Sequence, residues 1–228
     1  MTRISRRNLL AVGAAAASAA ARPRLPMAAA GCRYPPLGAI RYNVYRKGLR
    51  VGEHVARFRR DGDDLKVTND IELVVRFFGI PVYRYAHRNE EIWRNGRLHA
   101  VTSKTNKDGK KFDLTAERRE GVLHVRGRKG ELAIEGDILT ASLWHPQTPK
   151  VERLLDIEDG VVKQIRGRVR GTEQIPGPSG ERRAKHYRIR GDMDRDLWYG
   201  DDCRLLRVAF DASKDGSRIV LEPRAFET

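Results

Sequence analysis

From Gly38 onward, apolar and polar residues alternate with a period of two, which is the pattern of strands that bury one face. Ile40, Tyr42 and Val44 fall on one side, and Arg41 and Asn43 on the other. Leu65, Val67, Ile71, Leu73 and Val75 alternate with Lys66, Thr68, Asp70 and Glu72. Phe112, Leu114 and Ala116 repeat the pattern, as do Val161, Ile165 and Val169, then Leu206, Val208 and Phe210. Lys47-Gly48, Asp61-Gly62, Asn95-Gly96, Asp108-Gly109, Glu120-Gly121, Asp159-Gly160 and Asp215-Gly216 punctuate the runs. Such dipeptides supply the positive φ of tight hairpin turns. The spacing predicts about ten long strands in one antiparallel meander. A sheet of that length must curl to bury a face. The segment from Asp137 to Trp144 breaks the alternation, with Ile138, Leu139, Leu143 and Trp144 in near-helical spacing before His145-Pro146. The expected fold is therefore all-β: a curled antiparallel sheet or incomplete β-barrel of meander topology, enclosing a short apolar helix.

The first thirty residues differ in kind. Ser5-Arg6-Arg7-Asn8-Leu9-Leu10 precedes an alanine-rich stretch, then Arg22 and Arg24, then Ala28-Ala29-Ala30. A charged start, an apolar middle and a small-residue end predict a cleavable export signal, and the Arg6–Arg7 pair assigns it to the twin-arginine route. Residues 31–228 then form a single β-rich domain, expected in the periplasm. The 228 residues carry 45 Lys and Arg against 30 Asp and Glu, a net charge of +15. Loss of the five leader arginines leaves the remainder at +10.

Two cysteines exclude a disulfide-dense scaffold and a four-cysteine zinc site. Cys32 follows Ala29-Ala30-Gly31, so three states are open: lipidation and membrane anchoring at Cys32, a disulfide between Cys32 and Cys203, or free thiols. No apolar run in the body approaches the roughly 20 residues of a membrane-spanning helix, so the mature form is not expected to span a bilayer. A membrane barrel is disfavoured because the outward faces carry Arg, Lys, Asp and Glu where an apolar band is required.

Catalytic patterns are missing from the sequence. None of the six histidines has H-E-x-x-H spacing, and no G-x-S-x-G elbow occurs. His87 and Glu91 share a strand face, with Glu90 pointing away, and a cross-strand ion pair is the expected use. Cys203 follows Asp201 and Asp202, whose negative charge deactivates a thiol. The basic residues cluster as Arg57, Arg59 and Arg60, as Arg166, Arg168 and Arg170, and as Arg182, Arg183 and Lys185. Export removes nucleic acid from the partner list and leaves anionic envelope lipids and polymers. The aromatics divide into Trp93, Trp144 and Trp198, each expected to pack, and the apolar break Phe77-Phe78-Gly79-Ile80-Pro81-Val82, expected to be a hairpin end folded onto the core, with a mobile cavity rim or a membrane-touching tip as the alternatives.

Several phrases stand together: Gly52-Glu53-His54, Phe58-Arg59-Arg60-Asp61-Gly62-Asp63, Gly79-Ile80-Pro81-Val82-Tyr83-Arg84-Tyr85, Glu91-Ile92-Trp93, Ser142-Leu143-Trp144-His145-Pro146 and Asp196-Leu197-Trp198-Tyr199. The set resembles an uncharacterised family of exported bacterial proteins, a domain of unknown function that spans nearly the whole mature chain. The resemblance implies a curled sheet akin to lipoprotein carriers; the family has no assigned activity, so no catalytic residue carries over, and from the residues themselves no metal or cofactor is expected. Family members often carry Tyr-Asp after the last Trp, whereas Gly200 intervenes here between Tyr199 and Asp201. The expected function is non-enzymatic: binding a lipid or another apolar small molecule, with Phe77, Phe78, Trp93, Leu143, Trp144 and Trp198 as contacts. The alternative is an envelope interaction module whose basic surface binds anionic lipid or wall polymer.

Overall fold

At five hairpins, Lys47, Phe78, Asn95, Asp108 and Glu120 adopt φ between 49° and 54°, each followed by a glycine at φ between 77° and 88°. Two successive left-handed residues make the type I′ turn, whose twist matches that of paired strands. The computed structural model describes residues 33–213 and 215–228. Its strands are β1 (Gly38–Arg46), β2 (Leu49–Asp61), β3 (Asp64–Phe77), β4 (Ile80–Arg94), β5 (Arg97–Lys107), β6 (Lys110–Arg119), β7 (Val122–Gly127) and β8 (Gly130–Ile134). Then follow β9 (Leu139–Thr140), β10 (Arg153–Leu155), β11 (Val162–Gly177), β12 (Gly180–Gly191), β13 (Arg195–Gly200), β14 (Leu205–Asp211) and β15 (Arg218–Glu227).

All of them belong to one sheet, ordered β8-β7-β6-β5-β4-β3-β2-β1-β15-β14-β13-β12-β11-β10-β9. Two meanders therefore meet at the β1–β15 ladder, where Ala39 lies opposite Glu227 and Arg46 opposite Ile219. The edges are β8 and β9, which are consecutive along the chain but not hydrogen-bonded to each other. The sheet curls without closing.

Two clusters fill the concave side. Ile40, Tyr42, Phe58, Val67, Trp93, Leu114 and Leu123 face Ile138, Trp144 and Leu155 in the first. Leu143 and Leu154 pack against Ile165, Ile189, Leu197, Tyr199 and Val208 in the second. The segment after β8 is thus the plug of the curl.

That plug is a short strand followed by a turn at Ala141–Ser142, which corrects the expected helix over residues 137–144. Leu139 and Thr140 form β9, parallel to Leu154 and Leu155 of β10, and the Ala141 amide donates to the Leu155 carbonyl at 2.8 Å. Among the described residues the only helical turn is a 3₁₀ turn at Thr148–Lys150. The reason is that the segment must serve two walls. Trp144 enters the first cluster and its neighbour Leu143 the second. A helical stripe points consecutive residues about 100° apart and keeps an apolar run on one face, whereas here the turn at Ala141–Ser142 lets Leu143 and Trp144 serve different walls. Leu143 also takes φ +66, which an α-helix cannot contain.

Candidate functional site

The long β11–β12 hairpin buries Ile165, Tyr187 and Ile189 on the concave side. Alternation therefore turns Arg166, Arg168, Arg188 and Arg190 outward. Register places Arg166 opposite Arg190 and Arg168 opposite Arg188. Like charges directly opposite each other destabilise a sheet, so these two cross-strand pairs oppose folding. A register shift between Val169 and Gly171 adds Arg170. Together with His186 and Asp196 these arginines line a groove of about 640 Å³.

Asp196 is the groove's buried anion. Its Oδ2 accepts from Arg188 Nη1 at 2.6 Å and from Arg218 Nη2 at 3.3 Å, and its Oδ1 lies 3.1 Å from His186 Nε2. Burial opposes its ionisation, but the His186 and Arg218 hydrogen bonds and the Arg188 charge outweigh burial and hold the carboxyl below its usual range. His186 stacks on Trp198 at 4.1 Å and 12°, and its Nδ1 lies 2.8 Å from Glu173 Oε1. Both ring nitrogens are engaged, so His186 braces the wall and has no free nitrogen to act as a base. Arg190 reaches Asp194 only at 3.4 Å. Arg166, Arg168 and Arg170 are exposed, and their guanidinium groups make no hydrogen bond or ion pair among the described residues. Three unneutralised guanidinium groups beside two partly neutralised ones form a fork-shaped donor set for phosphate or carboxylate oxygens.

The residues expected to contact an apolar ligand do not gather in one place. Trp93 and Trp144 meet edge to face at 5.3 Å in the core. Their indole nitrogens donate to one oxygen of Glu91, at 2.8 and 3.0 Å. Asn89 Nδ2 and Thr140 Oγ1 donate to its other oxygen, at 3.1 and 2.9 Å. Burial raises the Glu91 pKa, and the surrounding donors oppose the rise. Leu143 lies in the second cluster. Trp198 packs on the convex side with Ile175, Ala184, Leu206 and Ala209. Phe77 and Phe78 stand at the β3–β4 tip, 66% and 89% exposed, so the hairpin end projects and is not folded onto the core.

His87 shares the concave face with Glu91, and its Nδ1 lies 2.7 Å from Thr105 Oγ1. His54 is buried beside Asn69, and burial pushes its pKa down to about 4. Among the described residues no three His, Cys, Asp or Glu side chains gather as a metal site, and no helix is long and apolar enough to cross a membrane. Cys203 is buried, with its sulfur in a disulfide, on a turn where the Gly200 amide donates to the Arg204 carbonyl at 2.9 Å. Gly200 thus opens a turn of its own between Tyr199 and Asp201. Arg6, Arg7 and Cys32 lie outside the described residues.

The groove was half legible in the sequence. Arg166, Arg168 and Arg170 stand out as a cluster, but Arg188, Arg190, His186 and Asp196 join them only through the hairpin register. The alternation of Tyr187 and Ile189 with Arg188 and Arg190 is the signal that carried this information.

A family model described as Domain of unknown function (DUF6134) matches residues 42–224. The chain belongs to this family. The DUF6134 match runs from β1 to β15 and so includes the arginine groove, the Glu91 network and the β3–β4 tip. Among solved structures the chain is similar to a beta-barrel-like protein of Domain of Unknown Function DUF1849 from Brucella abortus. The TM-score is 0.62 at 12% identity, over 84% of this chain and 97% of that one. At that identity the likeness concerns the fold alone. No curated protein matches the chain.

Proposed function

We propose that this DUF6134 protein is a non-enzymatic binding protein of the bacterial envelope, exported through the twin-arginine leader of residues 1–30. Its ligand is a polyanion with closely spaced phosphate or carboxylate groups, gripped by the arginine groove of β11 and β12. One observation carries this reading. Arg166 and Arg168 face Arg190 and Arg188 across a ladder, a placement that weakens folding and that a bound anion would relieve. An apolar ligand inside the curl is the weaker reading, because Trp93, Trp144, Leu143 and Leu155 occupy that space.

The test uses inorganic polyphosphate and, in a separate arm, phosphatidylglycerol vesicles, which distinguishes a polymer ligand from a lipid headgroup. The double variant Arg166→Gln with Arg168→Gln should weaken polyphosphate binding at least about tenfold, since each charge-assisted contact is roughly twice as strong as a neutral one. The slope of log affinity against log salt should flatten as well. The same variant should unfold at equal or higher urea concentration, because it removes cross-strand repulsion. Wild-type protein that ignores polyphosphate at low salt, or a variant that binds it unchanged, refutes the groove as a binding site.

A further inference from the structure

The hairpin between β3 and β4 departs from its siblings. At the other four type I′ turns, the first left-handed position holds Lys47, Asn95, Asp108 or Glu120. Here it holds Phe78, at φ +49. A bulky aromatic residue in that region is strained, and Asn or Asp is the residue such turns select. The strain gains no packing in return. Phe78 is 89% exposed, and its one aromatic contact is an edge-to-face meeting with Phe77 at 4.5 Å. Phe77, Ile80 and Val82 are also exposed, so half of the eight large hydrophobic residues exposed in the described chain lie within six positions. A concentrated apolar tip on a charged surface marks a contact site.

The charges around the tip indicate what it contacts. Arg76 lies at the base of the hairpin, its Nη1 3.1 Å from the Gly79 carbonyl, and Arg84 stands exposed on the returning strand. The β5–β6 turn is fastened alongside, with the Asp108 amide donating to the Arg84 carbonyl at 2.8 Å. It brings Lys107, Lys110 and Lys111 to the same rim. The carboxylates nearby are Asp108 on that turn, Glu72 on β3, and Glu158, which Lys107 engages at 2.8 Å. Cations outnumber anions around an apolar centre. Aromatic and aliphatic side chains that enter the headgroup boundary, with Lys and Arg at phosphate level, are the arrangement by which a protein lies on an anionic bilayer.

We propose that the β3–β4 tip docks the protein onto an anionic lipid surface: Phe77, Phe78, Ile80 and Val82 insert at the interface, and Arg76, Arg84, Lys110 and Lys111 meet lipid phosphates. The proposal is independent of the arginine groove, which lies on another part of the sheet.

The decisive variant is Phe78→Asn, which puts a favoured residue into the left-handed position. It should raise the urea midpoint and also reduce partitioning onto phosphatidylcholine–phosphatidylglycerol vesicles at least tenfold in a co-sedimentation assay. A purely structural role for Phe78 predicts the opposite sign for stability. Phe78→Trp should shift its emission to the blue with mixed vesicles, and much less with phosphatidylcholine alone. Arg166→Gln with Arg168→Gln should leave vesicle partitioning within twofold of wild type. The proposal is overturned if wild-type protein fails to bind the mixed vesicles or if Phe78→Asn binds them as well as wild type does. Vesicle binding that disappears in the groove variant overturns it too. So does a wild-type dimer that Phe78→Asn dissociates while vesicles go unbound, which would assign the tip to a second copy of the chain.

Discussion

Replacing Glu91 by leucine removes the acceptor for two buried indole N–H groups without opening a large cavity. Trp93 and Trp144 share one Glu91 oxygen and are themselves 2% exposed. Neither indole can turn toward water, so the full desolvation penalty applies, about 1–3 kcal/mol for each orphaned donor. Glu91→Leu should therefore lose about 2–6 kcal/mol, a large share of the ~5–15 kcal/mol that stabilises a typical domain. Glu91→Gln is the contrast. Its amide oxygen can serve the two indoles while its NH2 group faces Asn89 and Thr140. Asn89 Oδ1 has no partner, so a flip of the Asn89 amide would present an acceptor to the new donor. The Thr140 hydroxyl, 2.6 Å from Ser142 Oγ, can turn to accept in the same way. The pH dependence supplies a second readout. The Glu91 pKa is raised in the folded protein, so its contribution is complete below the ordinary carboxylate range and is lost as pH rises through the folded value. Glu91→Gln has no such loss and should gain on wild type as pH rises. Urea unfolding followed by tryptophan fluorescence from pH 5 to 8 measures all three proteins. A Glu91→Leu midpoint within about 1 kcal/mol of wild type, or Gln and Leu variants equally destabilised, would refute the argument.

Three further outcomes can be checked. The His54 pKa is lowered to about 4 by burial, so between that value and the ordinary ~6.5 the unfolded chain binds a proton that the folded protein refuses; this residue should cost up to about 3 kcal/mol of stability on acidification across that window, and a His54→Gln variant whose urea midpoint changes from pH 6.5 to 4.5 just as wild type's does would contradict it. A Cβ added at Gly167 would lie 1.9 Å from the Pro149 carbonyl oxygen, so Gly167→Ala should push the 3₁₀ turn off β11 and destabilise by about 1–3 kcal/mol, read as a lowered melting temperature. The mature protein is expected to be soluble and to carry a Cys32–Cys203 disulfide; intact mass should be two hydrogens lighter than the reduced chain, whereas an acyl-glyceryl adduct would identify a lipoprotein instead.

The alternation of Ile40, Tyr42 and Val44, or of Leu65 and Val67, revealed buried faces because period two has one structural meaning. The turn dipeptides likewise located Lys47, Asn95, Asp108 and Glu120, since few residues accept a left-handed φ. What stayed hidden depends on partners distant along the chain. Residues 137–144 suggested a helix because spacing records only which residues are apolar, and the two walls they serve come from strands on both sides of them in sequence. Glu91 showed a shared face with His87, but its tryptophan donors include Trp144, 53 residues away. Phe78-Gly79 was visible as a break, and its exposure was not, because a folded-back tip and a projecting one have the same letters.

The β1–β15 ladder sets a folding order. Each hairpin forms from neighbours a few residues apart, but Ala39 cannot find Glu227 until nearly the whole described chain exists. Pairing at such separation is slow, because the intervening chain must be ordered before the contact rewards it. The two free edges, β8 and β9, have adjacent sequence and no ladder between them. A circular permutant that joins residue 228 to residue 38 through a short linker and opens at Gly136 would turn the most remote pairing into a local hairpin while cutting no inter-strand hydrogen bond. It should refold faster than the natural order and reach the same sheet, now with its ends at the two free edges.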